Sequence, residues 1–466
     1  MCPVRLRCVN DRRPDALSTR LTHRLASLRT SFWFVPGLMV AGAVVLAALV
    51  LRLDTALAGS DLPPWVYTGG ADGARSLLST IAGSMVTVAG VGFSITIVAL
   101  VLASTQFGPR LLTLFLRDRV SQATLGVFVA TFIYCVLILR TIRGSEEAGG
   151  AFVPQVAMTV AIGITLVSVG VLVYFFHHVA VTIQAPTLVA TVARDVERAI
   201  DRLVHPSIGT GGPVADSAAV PDPLRDGRVF PARSGYVQVI DDIALFELAK
   251  RHDLTIRVLT RPGLFVSAAN PVMAVRPAEA LDDHGPAAVL SGTVIVGDTR
   301  TSEDDIEFSI RQLVEVALRA LSPAINDPFT AMAVVDWLGA ALTRLAVHEW
   351  PPRYRYDASG TLRIVAEVPT FGGVTHTIFS RIRHYGGSSP VVLNRLLEAV
   401  TAFGPHVADP EDRALVRDET EAVLRMGRKL IVSEADLREL EKRHAAALGA
   451  LGLPHEDERP RRAARQ

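Results

Sequence analysis

The stretch Leu77–Leu139, LLSTIAGSMVTVAGVGFSITIVALVLASTQFGPRLLTLFLRDRVSQATLGVFVATFIYCVLIL, decides the fold. Two uncharged runs, Leu77–Ala103 and Val120–Leu139, bracket Gln106–Arg119, which carries Arg110, Arg117, Asp118 and Arg119. Crossing a hydrocarbon core of ~30 Å takes ~20 apolar residues, so each run is long enough, while the arginine-bearing segment between them cannot lie in lipid. The pattern predicts a membrane hairpin.

Working outward, Thr30–Leu51 is free of charge and predicts a first span, and Phe152–Phe176 predicts a fourth. Ala56-Leu57-Ala58 before Gly59 resembles a signal-peptidase site, but the preceding apolar run exceeds the usual signal core, which favours an uncleaved anchor. Arg5, Arg7, Arg12, Arg13, Arg20, Arg24 and Arg29 precede the first span; Arg110, Arg117 and Arg119 separate the second and third; Arg194, Arg198 and Arg202 follow the fourth. The alternate loops hold only Arg52 and Arg75, then Arg140 and Arg143, with acids alongside. Positive charge collects on the cytoplasmic side, so both termini are expected there, in a multi-pass protein of the plasma membrane.

Composition agrees. Half of the 466 residues are hydrophobic and mean hydropathy is +0.34, with the apolar residues concentrated in the first 180 positions. A net charge of +1 gives no global field for nucleic acid, and none is expected as a partner. Only Lys250, Lys429 and Lys442 are lysines among 47 basic residues, so an isolated arginine carries little information. Cys2, Cys8 and Cys135 are too few and scattered for a disulfide framework or a zinc site.

The second span differs from the others in its small and hydroxyl residues. Gly83, Thr87, Gly90, Gly92 and Ser94 are candidate pore-lining or helix-packing positions, because such residues allow close helix approach and also suit a wet path. No Asp, Glu or Lys inside the runs marks a proton relay. After Phe107-Gly108-Pro109, a short interfacial helix or a plain turn would set Arg110, Arg117 and Arg119 against lipid phosphates. His177 and His178, where the fourth span meets water, fit a solvated pair, a metal ligand or a pH sensor.

Three stretches carry a resemblance: Gly92–Arg110; Leu116-Arg-Asp-Arg119 leading into Gly126–Phe132; and Ala320-Leu-Ser-Pro-Ala-Ile-Asn-Asp-Pro-Phe-Thr-Ala331. They resemble the bacterial predicted membrane proteins grouped as domain of unknown function 2254, from the first span to about residue 430. The resemblance implies a plasma-membrane protein and a topology; it implies no mechanism.

The expected order is a basic N-terminal segment (1–29), a four-helix transmembrane domain (30–180), a connecting helix (181–204), a linker (205–233), a small β module (234–300), a helical α+β domain (301–452) and a disordered tail (453–466). The fold class is thus an α-helical membrane domain of four transmembrane helices followed by a cytoplasmic α+β region. In the β module, Tyr236–Ile240, Leu254–Val258, Pro262–Val266 and Val289–Val296 read as strands. Their glycine-turn units are similar to a biotinyl/lipoyl-type barrel-sandwich, but the carrier lysine is absent, so the module is expected to bind a ligand or simply to connect.

Ile306, Ile310, Leu313, Ala317 and Leu321 share one helical face, and Val334, Leu338, Ala341, Leu342 and Leu345 another. Between them Asp327 fits an N-cap, Pro328 the first helical position and Thr330 the third. The same Asn326, Asp327 and Thr330 could instead contact a ligand at the helix start, and Asp304, Asp305 and Glu307 could share a divalent cation with Asp327. A strand at Leu362–Val368 is followed by helices through Phe379 and over Pro390–Phe403; Asp409–Gly427 and Ser433–Leu448 read as charged helices, the second opened by a Ser433/Asp436 capping box.

No nucleophile–base pair, phosphate-binding glycine loop or metalloprotease signature is present, so no enzyme, catalytic residue, metal or cofactor is expected. Two functions remain. One is an oligomeric channel-like or transport-related protein with a cytoplasmic regulatory domain. The other is a membrane-anchored ligand-sensing or scaffolding protein that transports nothing. The expected partners are the lipid bilayer and further copies of the chain.

Overall fold

The computed structural model describes residues 33–57, 63–108, 118–144, 152–203, 208–214, 216, 218–281, 284–300 and 305–452, and the chain divides into two compact units at residues 184/185. The first unit is four helices: α1 (Phe34–Ala56), α2 (Ala71–Phe107), α3 (Arg119–Leu139) and α4 (Gln155–Thr182). Helix α3 is the hub, packed against α1, α2 and α4. Its Gly126 explains the closeness to α1, since a Cβ there would come within 3.2 Å of the Pro36 Cα.

This unit is apolar outside and partly polar inside. Leu38 of α1, Val98 of α2 and Leu166 and Val173 of α4 are each more than 60% exposed, a surface that water would penalise and lipid would not. Ser121, Gln122, Thr124 and Thr131 of α3 are buried. Thr131 and Ser168 hydroxyls meet at 3.1 Å, and Tyr134 donates to the Ala157 carbonyl at 3.1 Å. Near the end of α1, Asp54 is buried and accepts from the Val156 and Ala157 amides, both at 2.8 Å. Its carboxylate thereby satisfies free N–H groups at the start of α4 across about a hundred residues of sequence.

The second unit opens with α5 (Ala185–Leu203), two residues after α4 stops. Its buried stripe, from Leu188 and Val189 to Ala199 and Ile200, packs on α8 (Ile306–Ala320) and α9 (Pro328–Ala346). Helices α10 (Phe371–Gly386), α11 (Pro390–Phe403), α12 (Pro410–Leu430) and α13 (Glu434–Ala450) complete the helical part. The faces expected on α8 and α9 are the buried ones: Ile306, Ile310, Leu313 and Ala317; Val334, Leu338, Ala341, Leu342 and Leu345. Ser433 accepts from the Asp436 amide at 3.3 Å at the start of α13.

Five described helices are long and apolar enough to cross a membrane, against the four expected; the fifth is α9. It lies among α5, α8 and α11, with Gly339 closely facing Ala399 of α11. Its Asp336 and Arg344 pair with Arg395 and Asp201 at 2.6 Å.

The β structure departs from a self-contained barrel-sandwich over 234–300. A six-stranded sheet runs β1 (Thr210–Gly211), β8 (Tyr354–Tyr356), β9 (Leu362–Val365), β4 (Thr255–Val258), β6 (Met273–Arg276), β2 (Gly227–Val229), with β4 and β9 parallel and the other pairs antiparallel. A second sheet is β5 (Phe265–Val266), β3 (Gly235–Ile240), β7 (Val294–Gly297). Strands β1 and β2 fall within the expected linker, and β8 and β9 lie beyond residue 300. Two helices also interrupt the module. Asp241 caps α6 (Asp242–Arg251) by accepting from Ala244, and α7 (His284–Gly292) replaces the first half of the strand expected over Val289–Val296, which is confined to Val294–Gly297. The apolar run Ala287–Leu290 is the reason, because alanine and leucine favour helix over strand and only Leu290 is drawn into the core. On the linker side, Asp226 receives Arg276 at 2.7 Å, and that hydrogen bond holds the Asp226 carboxyl below the usual carboxylate range.

Candidate functional site

Helix α2 puts Gly83, Thr87, Gly90 and Ser94 on one face, since spacings of four, three and four residues return to the same side of a 3.6-residue helix. All four are exposed, and a Cβ at Gly83 or Gly90 would meet nothing within 4 Å. The Thr87 hydroxyl donates to the Gly83 carbonyl at 3.0 Å, with Thr80 and Ser84 bonded likewise one turn back. The hydroxyl protons are thus spent on the helix, and the oxygens keep acceptor lone pairs. Gly92 separates from this group: it is buried and faces the Phe175 ring of α4.

On that inner side lies a second feature. Thr96, Asp118, Ser121, His178 and Thr182 border a shallow recess between α2, α3 and α4 with room for about 20 Å³, and Thr96 and Ser121 also border a smaller neighbouring recess of about 10 Å³ that Gly92 lines. Asp118 caps α3, accepting from the Ser121 amide at 3.1 Å and its hydroxyl at 2.6 Å, and the same carboxylate oxygen lies 3.0 Å from His178 Nε2. Of the two histidines flagged by position, His178 has this acid partner and His177 is exposed. Asp118 stands within the quoted Leu116–Arg119 motif, but nothing in its spacing announces a histidine sixty residues on. Asp54, Asp118 and the Thr131–Ser168 contact are the features that sequence reasoning missed.

Arg119 opens α3 and is exposed, while Arg110 and Arg117, with the expected interfacial helix, lie outside the described residues. Helix α2 ends at Phe107, one residue before Gly108.

In the second unit Asp327 caps α9 as expected, accepting from the Thr330 amide at 3.1 Å and the Thr330 hydroxyl at 2.6 Å. Asn326 adopts φ +48°, the left-handed region that asparagine tolerates, and its amide bonds the Ser322 carbonyl at 2.8 Å. Both oxygens of Asp327 are therefore engaged within the turn. The carboxylates proposed to share a cation with it are engaged elsewhere: Asp305 caps α8 through Phe308 and pairs with Arg300 at 2.6 Å, and Glu307 bridges Arg261 at 2.5 Å and Arg311 at 2.6 Å. Asp304 lies outside the described residues. Among the described residues no group of three or more His, Cys, Asp or Glu is placed to hold a metal ion. Gly263, at φ +87°, lets the Arg261–Leu264 turn pass so close to Asp305 and Arg300 that a Cβ would collide with both.

An apolar four-helix unit, joined to this mixed α/β unit, agrees with the family profile described as "Predicted membrane protein (DUF2254)", which matches residues 29–402. The chain belongs to this family. The uncharacterized protein MT1328 of Mycobacterium tuberculosis (strain CDC 1551 / Oshkosh) is 34% identical over 417 residues, covering 88% of this chain and 78% of the relative. The uncharacterized protein Mb1321c of Mycobacterium bovis is 33% identical over 415 residues with the same coverage. No solved structure matches. Members of DUF2254 share the membrane character that the apolar helices carry, so the protein is a membrane protein.

Proposed function

We propose that this DUF2254 protein is an oligomeric, channel-like or transport-related protein of the plasma membrane. Helices α1–α4 are its four spans, and both termini and the second unit lie on the cytoplasmic side, where that unit regulates the path. The outer face of α2 carries the reading. Between helices in lipid there is no hydrophobic driving force, and association draws on close backbone approach at small residues. Gly83 and Gly90 leave room for a neighbouring copy, and the acceptor oxygens of Thr87 and Ser94 suit a wet axis shared among copies.

Arginine counts on alternate loops support the orientation. Helix α9 belongs to the second unit, because its Asp336 and Arg344 are paired inside that unit and its apolar face is filled by helical neighbours. The ligand-sensing reading draws less support, since the Asp327 carboxylate it needs is consumed by its own helix start.

The test is oxidative crosslinking in native membranes of a cysteine-free chain carrying Ser94→Cys. Two-chain species are expected from Ser94→Cys and from Thr87→Cys. None from either position, with a control cysteine elsewhere still reactive, would count against a shared α2 face.

A further inference from the structure

We propose that one end of the helical part of the second unit is a bilayer-docking surface, presented by the turn that contains Asn326 and Asp327. Several elements converge there. The α8–α9 turn holds Ile325, 39% exposed, and the first turn of α9 holds Phe329, 79% exposed. Gly386, at the end of α10, backs onto Leu321 and onto Val392 of α11's first turn. Gly387 backs onto Met426 and Leu430 in the last turns of α12. This end therefore also collects Tyr385, Val391, Leu430 and Val432, all exposed, the last at 98%.

The choice of occupant follows from covalent continuity and charge. Arg344 and Asp201 join the last turns of α9 and α5, and the buried stripes of the two helices pack on each other, so they run in the same sense. The first turn of α5 is then at the same end as Phe329. Only Ile183 and Gln184 separate α5 from α4, so the chain enters the second unit at this end within two residues of the last proposed span. Arg319, Arg425 and Lys429 are exposed beside the apolar group, with Glu434 as an exposed acid there. Apolar side chains flanked by basic ones, and held by backbone already satisfied within its own turns, suit the boundary of headgroups and acyl chains. The Asn-Asp-Pro turn then acts as a rigid mount: Asp327 N–H to Ala320 O at 2.7 Å and the Thr330 cap fix it, leaving Ile325 and Phe329 outward.

The inference rests on α4 being a span, and the experiment separates the two. The full chain, freed of its own cysteines, is placed in vesicles of phosphatidylcholine and phosphatidylglycerol with one environment-sensitive label at position 166, 329, 432 or 347. Nitroxide lipids should quench labels at 329 and 432 about threefold more than at 347, the far end of α9, with shallow nitroxides most effective, as an interfacial depth requires. Position 166 of α4 should be quenched by deep nitroxides. Quenching at 166 with 329 and 432 no more quenched than 347 overturns the docking surface alone. No quenching at 166 overturns both. Shielding at 329 and 432 that nitroxides do not report, and that vanishes on dilution to one chain per vesicle, assigns the surface to a second copy and overturns the bilayer as occupant.

Discussion

On α3, Gly126 sits where an added Cβ would come within 3.2 Å of the Pro36 Cα of α1; on α2, Gly83 and Gly90 have nothing within 4 Å. The same residue type thus closes a helix contact in one place and leaves a face open in another. Helix α9 repeats the first pattern in the second unit, where Gly339 closely faces Ala399. Small residues in an apolar helix mark where something can approach, and only the packing tells whether a neighbour within the same chain already does. Across the two units, the small-residue face of α9 is filled and that of α2 is open.

That contrast can be broken by substitution. The largest effect is expected at Leu338, fully buried on α9: Leu338→Ala should cost about 2–5 kcal/mol, because it leaves a cavity among packed helices. Thermal unfolding followed by circular dichroism would read this, and a negligible change would mean that α9 is not a core helix. Next, Gly126→Leu should cost about 1–3 kcal/mol from overpacking against α1. Gly90→Leu should stay within about 0.5 kcal/mol in the same assay on detergent-solubilised single chains. Equal losses at both positions would erase the distinction between closed and open faces.

Smaller effects test the helix start that sequence alone left as cap or ligand site. Asp327→Ala should cost about 1 kcal/mol as a lost N-cap, while Asp327→Asn should retain most of it. Loss of activity by Asp327→Asn at unchanged stability would restore a ligand role. The smallest concerns Asp412 on α12, where burial, then Asp409, pushes the carboxyl above its usual value. A carboxyl raised on folding stabilises at low pH and loses that contribution as pH rises through its folded value. Asp412→Asn, which keeps an acceptor for the Gly372 amide, should therefore be no less stable at neutral pH and should flatten the stability profile in the acid range.

The sequence carried the periodic features well. Charge-free runs located α1 to α4, and the 3.6-residue spacing of Ile306 to Ala317 and Val334 to Leu345 located the α8 and α9 faces. Asp327 and Ser433 were legible because capping is local, a side chain reaching an amide three residues on. What escaped was long-range. Asp54 caps α4 and Asp118 meets His178, each across sixty residues or more. The sheet was misread for the same reason: β4 finds its parallel partner β9 more than a hundred residues away, and no local alternation reveals such pairing. Among the five candidate positions on α2, composition could not separate Gly92, which faces Phe175, from the four that face outward.

The outer face of α2 is proposed to line a path shared among copies. The most direct test is ion and small-solute flux through purified chain in liposomes, under applied voltage, pH steps and osmotic tension, beside Gly83→Leu and Gly90→Leu. Flux is expected in the parent chain, with a change of about tenfold in either variant at unaltered thermal stability. No flux under any of these conditions, or flux in both variants unchanged from the parent chain, would contradict it.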